Sequence, residues 1–231
     1  MQVAIITGAG SGIGLASARM LHDMGMAVVG VGRDPAKLNA LQQTIGDPGR
    51  LAALSVDITA KDAPKRIVDQ ALERYGRIDF LVNNAGIGSP KPLHETDDET
   101  LDHFLDIMLR APFRLAREVI THMQAGSGIV NVTSTFAMIG GKRGGAYSAA
   151  KGGLKSLTEH MACEYGPMGI RSNCVAPGVT MTDMVRHRFA DETFKRVNVE
   201  TTPYPRLAEA QDIASVIAFL CSKGGEMING Q

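Results

Sequence analysis

Short apolar runs alternate along this chain with longer stretches in which apolar and polar positions mix. The runs cover residues 3–7, 27–31, 51–56, 80–83, 129–133 and 172–175. They are rich in Val, Ile, Leu and Ala and lack clean polar alternation, which predicts strands covered on both faces of a parallel sheet. Between them, residues 13–24, 35–44, 60–75, 97–123, 146–165 and 209–222 have the length and spacing of helices. Strand and helix in strict alternation predict an α/β fold, a single-domain, doubly wound parallel sheet over residues 1–231. Its crossovers should be right-handed. Residues 183–205 break the rhythm. They are polar, rich in Arg and Thr, and read as a lid over a substrate site.

Composition narrows the classes. The 231 residues carry 24 Lys and Arg against 24 Asp and Glu, so nothing points to nucleic acid or an anionic membrane. No apolar stretch approaches the ~20 residues of a membrane span. Met1 and Gln2 lead straight into the first strand, without a targeting signal, so a cytoplasmic location is expected. Three cysteines in no CxxC spacing fit a reducing compartment. Six histidines form no HxxxH or HxH pair, so no metal is expected.

The first strand runs directly into Thr7-Gly8-Ala9-Gly10-Ser11-Gly12-Ile13-Gly14 and a helix. Glycines let backbone amides approach a phosphate, and the helix start adds unpaired donors and a positive dipole end. The glycines are Gly8, Gly12 and Gly14, spaced Gly-x3-Gly-x-Gly, not the usual dinucleotide GxGxxG. Downstream lie Asn83-Asn84-Ala85-Gly86, then Ser134 with Tyr147 and Lys151 in a YxxxK spacing, then Pro177-Gly178.

These four motifs, in this order, resemble those of the short-chain dehydrogenase/reductase family, and within it the 3-oxoacyl-carrier-protein reductase-like branch. The resemblance spans essentially the whole chain. It implies a Rossmann fold and hydride transfer between a nicotinamide dinucleotide and a carbonyl or secondary alcohol. It implies Tyr147 as acid/base, Lys151 as its electrostatic partner and Ser134 as the donor to the substrate oxygen. Tyr147 and Lys151 share one helix face at i, i+4. A nearby ammonium is expected to lower the tyrosine pKa.

For the cofactor, the resemblance implies contacts at Gly8, Ser11, Gly12, Ile13, Gly14, Asn83, Ala85, Gly86, Tyr147, Lys151, Pro177, Gly178, Val179 and Thr182. After the second strand, where NAD enzymes often place a carboxylate for the ribose 2′-OH, this chain has Gly32 and then Arg33. A guanidinium there favours the 2′-phosphate of NADP, with an NAD-linked alcohol or sugar dehydrogenase as the alternative if Arg33 is a solvated turn residue. Asp57 and Ile58 are implied to meet the adenine; Asp57 reads equally well as a helix N-cap near Thr59.

Two positions depart from the family pattern. Met108 stands where many members have an asparagine that helps hold a water, and a thioether is a poor acceptor and no donor. This leaves a weakly active cofactor-binding sensor or scaffold as an alternative function. Residues 227–231 resemble the lead-in to the family's last strand, which is then missing, leaving an exposed sheet edge. Substrate selection is expected from the excursion after Thr182 and from residues 88–95. The substrate is expected to be a small molecule or an acyl thioester, which Arg186, Arg188, Lys195 and Arg196 would meet if it is anionic. The resemblance also implies a homo-oligomer, a tetramer or dimer, with the helix over residues 147–165 in a contact.

Overall fold

A computed structural model describes residues 1–88 and 91–231. Its centre is a six-stranded parallel sheet. The strands are β1 (Val3–Thr7), β2 (Ala27–Gly32), β3 (Leu51–Ser55), β4 (Phe80–Asn83), β5 (Gly128–Val132) and β6 (Arg171–Val175). Their spatial order is β3-β2-β1-β4-β5-β6. The direction of winding reverses between β1 and β4, and the carboxyl ends of those strands frame the crevice where such sheets bind ligands.

Successive strand residues feed opposite cores. Val3, Ile5, Val29 and Ile129 pack with α3 (Ala63–Tyr75), α5 (Ala111–Ile120) and α6 (Gly145–Tyr165). Ala4, Ile6, Val28 and Val82 pack with α1 (Gly12–Asp23), α2 (Pro35–Ile45) and α9 (Ala210–Leu220). Burial on both sides is why the strands read as unbroken apolar runs.

Local chemistry fixes the helix ends. Asp34 caps α2 by accepting from Ala36 N and Lys37 N, and Pro35 opens its first turn. Gly46 and Gly76 close α2 and α3 in left-handed conformation, with φ of 67° and 73°. The helix expected from residue 60 starts at Ala63. Asp57 instead makes a tight turn, accepting from both the N–H and the hydroxyl of Thr59. Asp57 is therefore not a helix N-cap.

The long helix expected over residues 97–123 is divided into α4 (Asp98–Leu105), a π-helical turn (Asp106–Arg110) and α5. Pro112 in the first turn of α5 has no N–H to give the preceding turn, and a π-turn absorbs that loss. The excursion is partly ordered as α7 (Asp183–Arg186), a 3-10 turn (His187–Ala190) and α8 (Glu192–Glu200). A two-residue parallel ribbon, β7 (Thr180–Met181) with β8 (Ala208–Glu209), clasps its base.

The expectation of an exposed edge on β6 is corrected. Residues 228–231 run along it: Gly230 N donates to Ser172 O (2.9 Å) and Cys174 N to Gln231 O (2.6 Å). Asn173 Nδ2 donates to Ile228 O (2.7 Å).

Candidate functional site

At the end of β1 the backbone turns through Gly8, with φ of 69°, and enters α1 at Gly12, with φ of 52°. Both values favour glycine. A Cβ on Gly14 would lie 2.1 Å from Gly8 O, so only glycine lets the helix start this close to the turn. The loop is also held from outside. Thr7 Oγ1 accepts from Asn84 N (3.0 Å) and Ala85 N (3.1 Å), while Asn84 Nδ2 donates to Thr7 O (3.0 Å). Ser11 is the N-cap of α1 but its side chain caps nothing, and no acid sits in the first turn. The first-turn amides and the positive end of the helix dipole thus face the cleft with no acidic side chain in that turn to neutralise them.

A cleft of about 850 Å³ runs from this loop past the carboxyl end of β5 to the excursion. It is lined by Gly8, Ser11, Gly12, Ile13, Ala85, Gly86, Ser134, Tyr147, Lys151, Pro177, Gly178, Val179 and Thr182, all expected from the sequence. A second hollow of about 250 Å³ shares Gly8, Ser11, Ala85 and Gly86 with it and holds Arg33, Asp57 and Ile58. Arg33 Nη1 lies 4.0 Å from Asp57 Oδ2, and both side chains are exposed. Burial raises the Asp57 pKa, but the hydrogen bonds from Thr59 and the charge of Arg33 outweigh it and hold the carboxyl below its ordinary value.

Ser134 follows β5 and caps the short turn Thr135–Ala137, its Oγ accepting from Phe136 N at 3.2 Å. Tyr147 and Lys151 lie one turn apart on α6. The Tyr147 ring is gripped edge-on by Phe104 (6.4 Å between centroids) and Phe136 (6.2 Å). Lys151 Nζ, buried, donates to Val132 O at 2.6 Å and lies 5.9 Å from the Tyr147 ring centre. Burial lowers the Lys151 pKa from 10.5 to about 8. Burial also pushes the Tyr147 hydroxyl up, and its hydrogen bond with Ser134 works against that. The expected lowering of the tyrosine by the lysine is therefore not what dominates; desolvation of the phenol does.

Two expected contacts line neither cavity. Gly14 is a packing glycine against Gly8. Asn83 points into the layer between sheet and helix: its Nδ2 donates to Asn131 Oδ1 (2.9 Å), and Asn131 Nδ2 to Thr158 Oγ1 (2.8 Å) on α6. Its neighbour Asn84 lines the cleft instead. Sequence reasoning also passed over Thr7, Phe104 and Phe136. Thr7 and Asn84 stand inside motifs already singled out, and Phe136 is two residues from Ser134. Met108 is fully buried, 3.5 Å through its sulfur from where a Cβ on Gly86 would sit, in an apolar cluster with Phe104 and Tyr147. Of residues 88–95, Ser89 and Pro90 lie outside the described residues.

Among the described residues, no group of three or more His, Cys, Asp or Glu side chains is placed to hold a metal, and no helix is long and apolar enough to cross a membrane.

The chain matches, over residues 8–231, the family model described as enoyl-(acyl carrier protein) reductase. It is 38% identical to a cis-4-hydroxycyclohexanecarboxylate dehydrogenase of Sinomonas cyclohexanicum, covering 99% of this chain and 92% of that one. It is 32% identical to a 3-oxoacyl-[acyl-carrier-protein] reductase of Thermotoga maritima, covering 100% and 94%. A solved 3-ketoacyl-(acyl-carrier-protein) reductase from Brucella melitensis, complexed with NADH, superposes with a TM-score of 0.90 at 33% identity, covering 99% and 94%. A family model matched over nearly the whole length, together with relatives above 30% identity, means that this chain belongs to the short-chain dehydrogenase/reductase family, oxidoreductases acting on CH–OH and C=O groups.

Proposed function

We propose that this protein is an NADP(H)-dependent enzyme that interconverts a ketone and a secondary alcohol, with Tyr147, Lys151 and Ser134 as its catalytic residues. The observation that carries this reading is their convergence, on two different elements, in one cleft with an uncapped glycine loop at its end. The residues present suit a dinucleotide. The glycine loop offers N–H donors and a positive dipole end to a pyrophosphate. Without a side chain, Gly12 leaves a groove beside Thr182, whose methyl carbon lies 3.2 Å from where a Cβ would be. Arg33 stands at the far hollow for a 2′-phosphate, with Asp57 and Ile58 for the adenine. Ala85, Gly86, Pro177, Gly178 and Val179 line the path between. The bound cofactor supplies or accepts the hydride.

The chain's own part is the proton. Its raised pKa keeps Tyr147 a neutral phenol, suited to give its proton to the substrate oxygen during reduction and to recover it during oxidation. Ser134 donates to the same oxygen and stabilises the charge developing there. The Lys151 ammonium, anchored on Val132 O, stabilises the phenolate that Tyr147 becomes. The Phe104 and Phe136 edges fix the ring that carries the proton. Residues 183–205 act as the lid, within one domain spanning residues 1–231. A cytoplasmic homo-oligomer is part of the same reading.

A second reading is NAD-linked oxidation of alcohols. It is favoured by the carboxylate of Asp57 near Arg33 and by the NADH complex of the Brucella relative. Titration of the protein with NADPH and NADH, followed by nicotinamide fluorescence, separates the two. NADPH should bind more tightly by about tenfold or more, the scale of one charge-assisted hydrogen bond, and Arg33→Ala should remove that preference. Tighter NADH would overturn the NADP reading; binding of neither would overturn the enzymatic one.

A further inference from the structure

The excursion carries four cations that sequence alone offers equally to an anion: Arg186, Arg188, Lys195 and Arg196. The fold treats them unequally. Arg186 sits 3.8 Å from Asp183 and Lys195 sits 3.6 Å from Glu192, and both side chains are exposed. Arg196 is exposed too, and none of these three lines the cleft. Arg188 does line it, and is half-buried. Its guanidinium lies over the Phe194 ring, 4.0 Å from the centroid, and Phe189 meets that ring edge-on at 5.2 Å.

Among the described residues, no carboxylate lies within ion-pair distance of Arg188. Asp191, the nearest acid in sequence, is engaged by the N–H groups of Thr193 and Phe194. Lys142 lines the same cleft from the loop after β5 and also makes no ion pair among the described residues. A partly desolvated guanidinium without a counter-charge is unfavourable unless a ligand supplies one. Stacking occupies its face and leaves its in-plane N–H fork for a planar, bidentate acceptor. Met184, Val185 and Val197 line the neighbouring part of the cleft and suit an apolar body. Asp183 and Asp191 also line it, and their charge disfavours a dianion such as a phosphate monoester more than it does a carboxylate.

We infer that the substrate is a hydroxy- or oxo-carboxylate, its carboxylate held by Arg188 on the Phe194 platform, with Lys142 lining the same cleft. Which group then reacts at Tyr147 rests on the function proposed above; the anion site does not.

The test uses the purified full chain and oxo acids of increasing spacer length, each paired with its methyl ester. The acid should exceed its ester in kcat/KM by about 30-fold, as for a charge-assisted hydrogen bond between ions. Arg188→Met should remove most of that ratio and Arg188→Lys should keep part of it. Reading the ratio separates recognition from a general loss of activity. Esters equal to acids would overturn the inference, as would a ratio that survives Arg188→Met or a phosphorylated ketone preferred over the acid. If no ketone is turned over, the reductase reading fails on its own. Calorimetric titration of the same acids then decides the anion site. Binding weakened by Arg188→Met supports it, and an absence of binding to the unmodified chain overturns it.

Discussion

At the glycine-loop end of the cleft, position is set by backbone and by buried groups. Thr7 is 2% exposed, its hydroxyl accepts two N–H groups of the β4 loop, and Gly14 allows a helix to start within contact of Gly8. At the excursion end, α7 and α8 bury no residue, and a two-residue ribbon is the sheet that holds their base. One end is a rigid receptor built into the main sheet. The other is a set of side chains on a segment with little core of its own. Their stabilities should therefore respond differently to change: globally at the first end, locally at the second. On the function proposed above, the cofactor would be bound by framework and the substrate by an appendage.

The largest effect should come from the framework. In Gly14→Ala the added methyl would meet Gly8 O, a backbone atom, at 2.1 Å and Asn84 Nδ2, held by its hydrogen bonds to Thr7 O and Gly8 O, at 2.5 Å. The expected cost is about 3 kcal/mol or more, with the turn displaced. Chemical denaturation should show a lower midpoint for the whole chain, and NADPH titration should show weakened binding. An unchanged midpoint would mean that the turn is far softer than its contacts suggest.

The same contrast governs what the sequence reveals. Glycine spacing records a backbone requirement, so Gly8, Gly12 and the β1–α1 turn are legible in the sequence. The β strands were legible because burial on both faces leaves unbroken apolar runs. The Tyr147–Lys151 pair is legible because its YxxxK spacing resembles the family motif; i, i+4 spacing adds only that both lie on one helix face. Asn83 was misplaced because adjacent strand-end residues point opposite ways, and the motif does not say which of the two asparagines faces the cleft. Arg188 could not be told from Arg186, Lys195 and Arg196, since the choice is made by partners that fold beside them. The π-turn before Pro112 was also hidden: helical periodicity runs on through it.

Lys151 lies where the two ends meet, and its burial sets an opposite sign. Its pKa is about 8 in the fold and 10.5 when exposed. Between those values the unfolded chain binds more protons, so folding becomes more favourable as pH rises from about 8 to 10.5, by at most about 3 kcal/mol. Below pH 8 the penalty is constant. Lys151→Met removes it, while loss of the hydrogen bond to Val132 O returns about 1 kcal/mol. The variant should therefore be more stable than the natural chain at pH 7 by about 2 kcal/mol, with that advantage lost by pH 10.5, and it should lose turnover. Urea unfolding of both proteins at pH 7 and pH 10.5 checks this. A difference that does not change with pH would place the lysine in a wetter site than its burial indicates.

The smallest effect should come from Asp191→Ala, and its localisation matters more than its size. Asp191 caps α8 by accepting from Thr193 N (2.9 Å) and Phe194 N (3.3 Å). Losing such a cap costs about 1 kcal/mol. Because α8 contributes nothing to the two main cores, that loss should fall on opening of the excursion alone. Amide exchange over residues 192–200 should quicken by about fivefold, the equivalent of 1 kcal/mol, while the thermal midpoint stays nearly fixed. If exchange instead quickens throughout the sheet, the excursion is coupled to the framework, and the division between the two ends of the cleft does not hold.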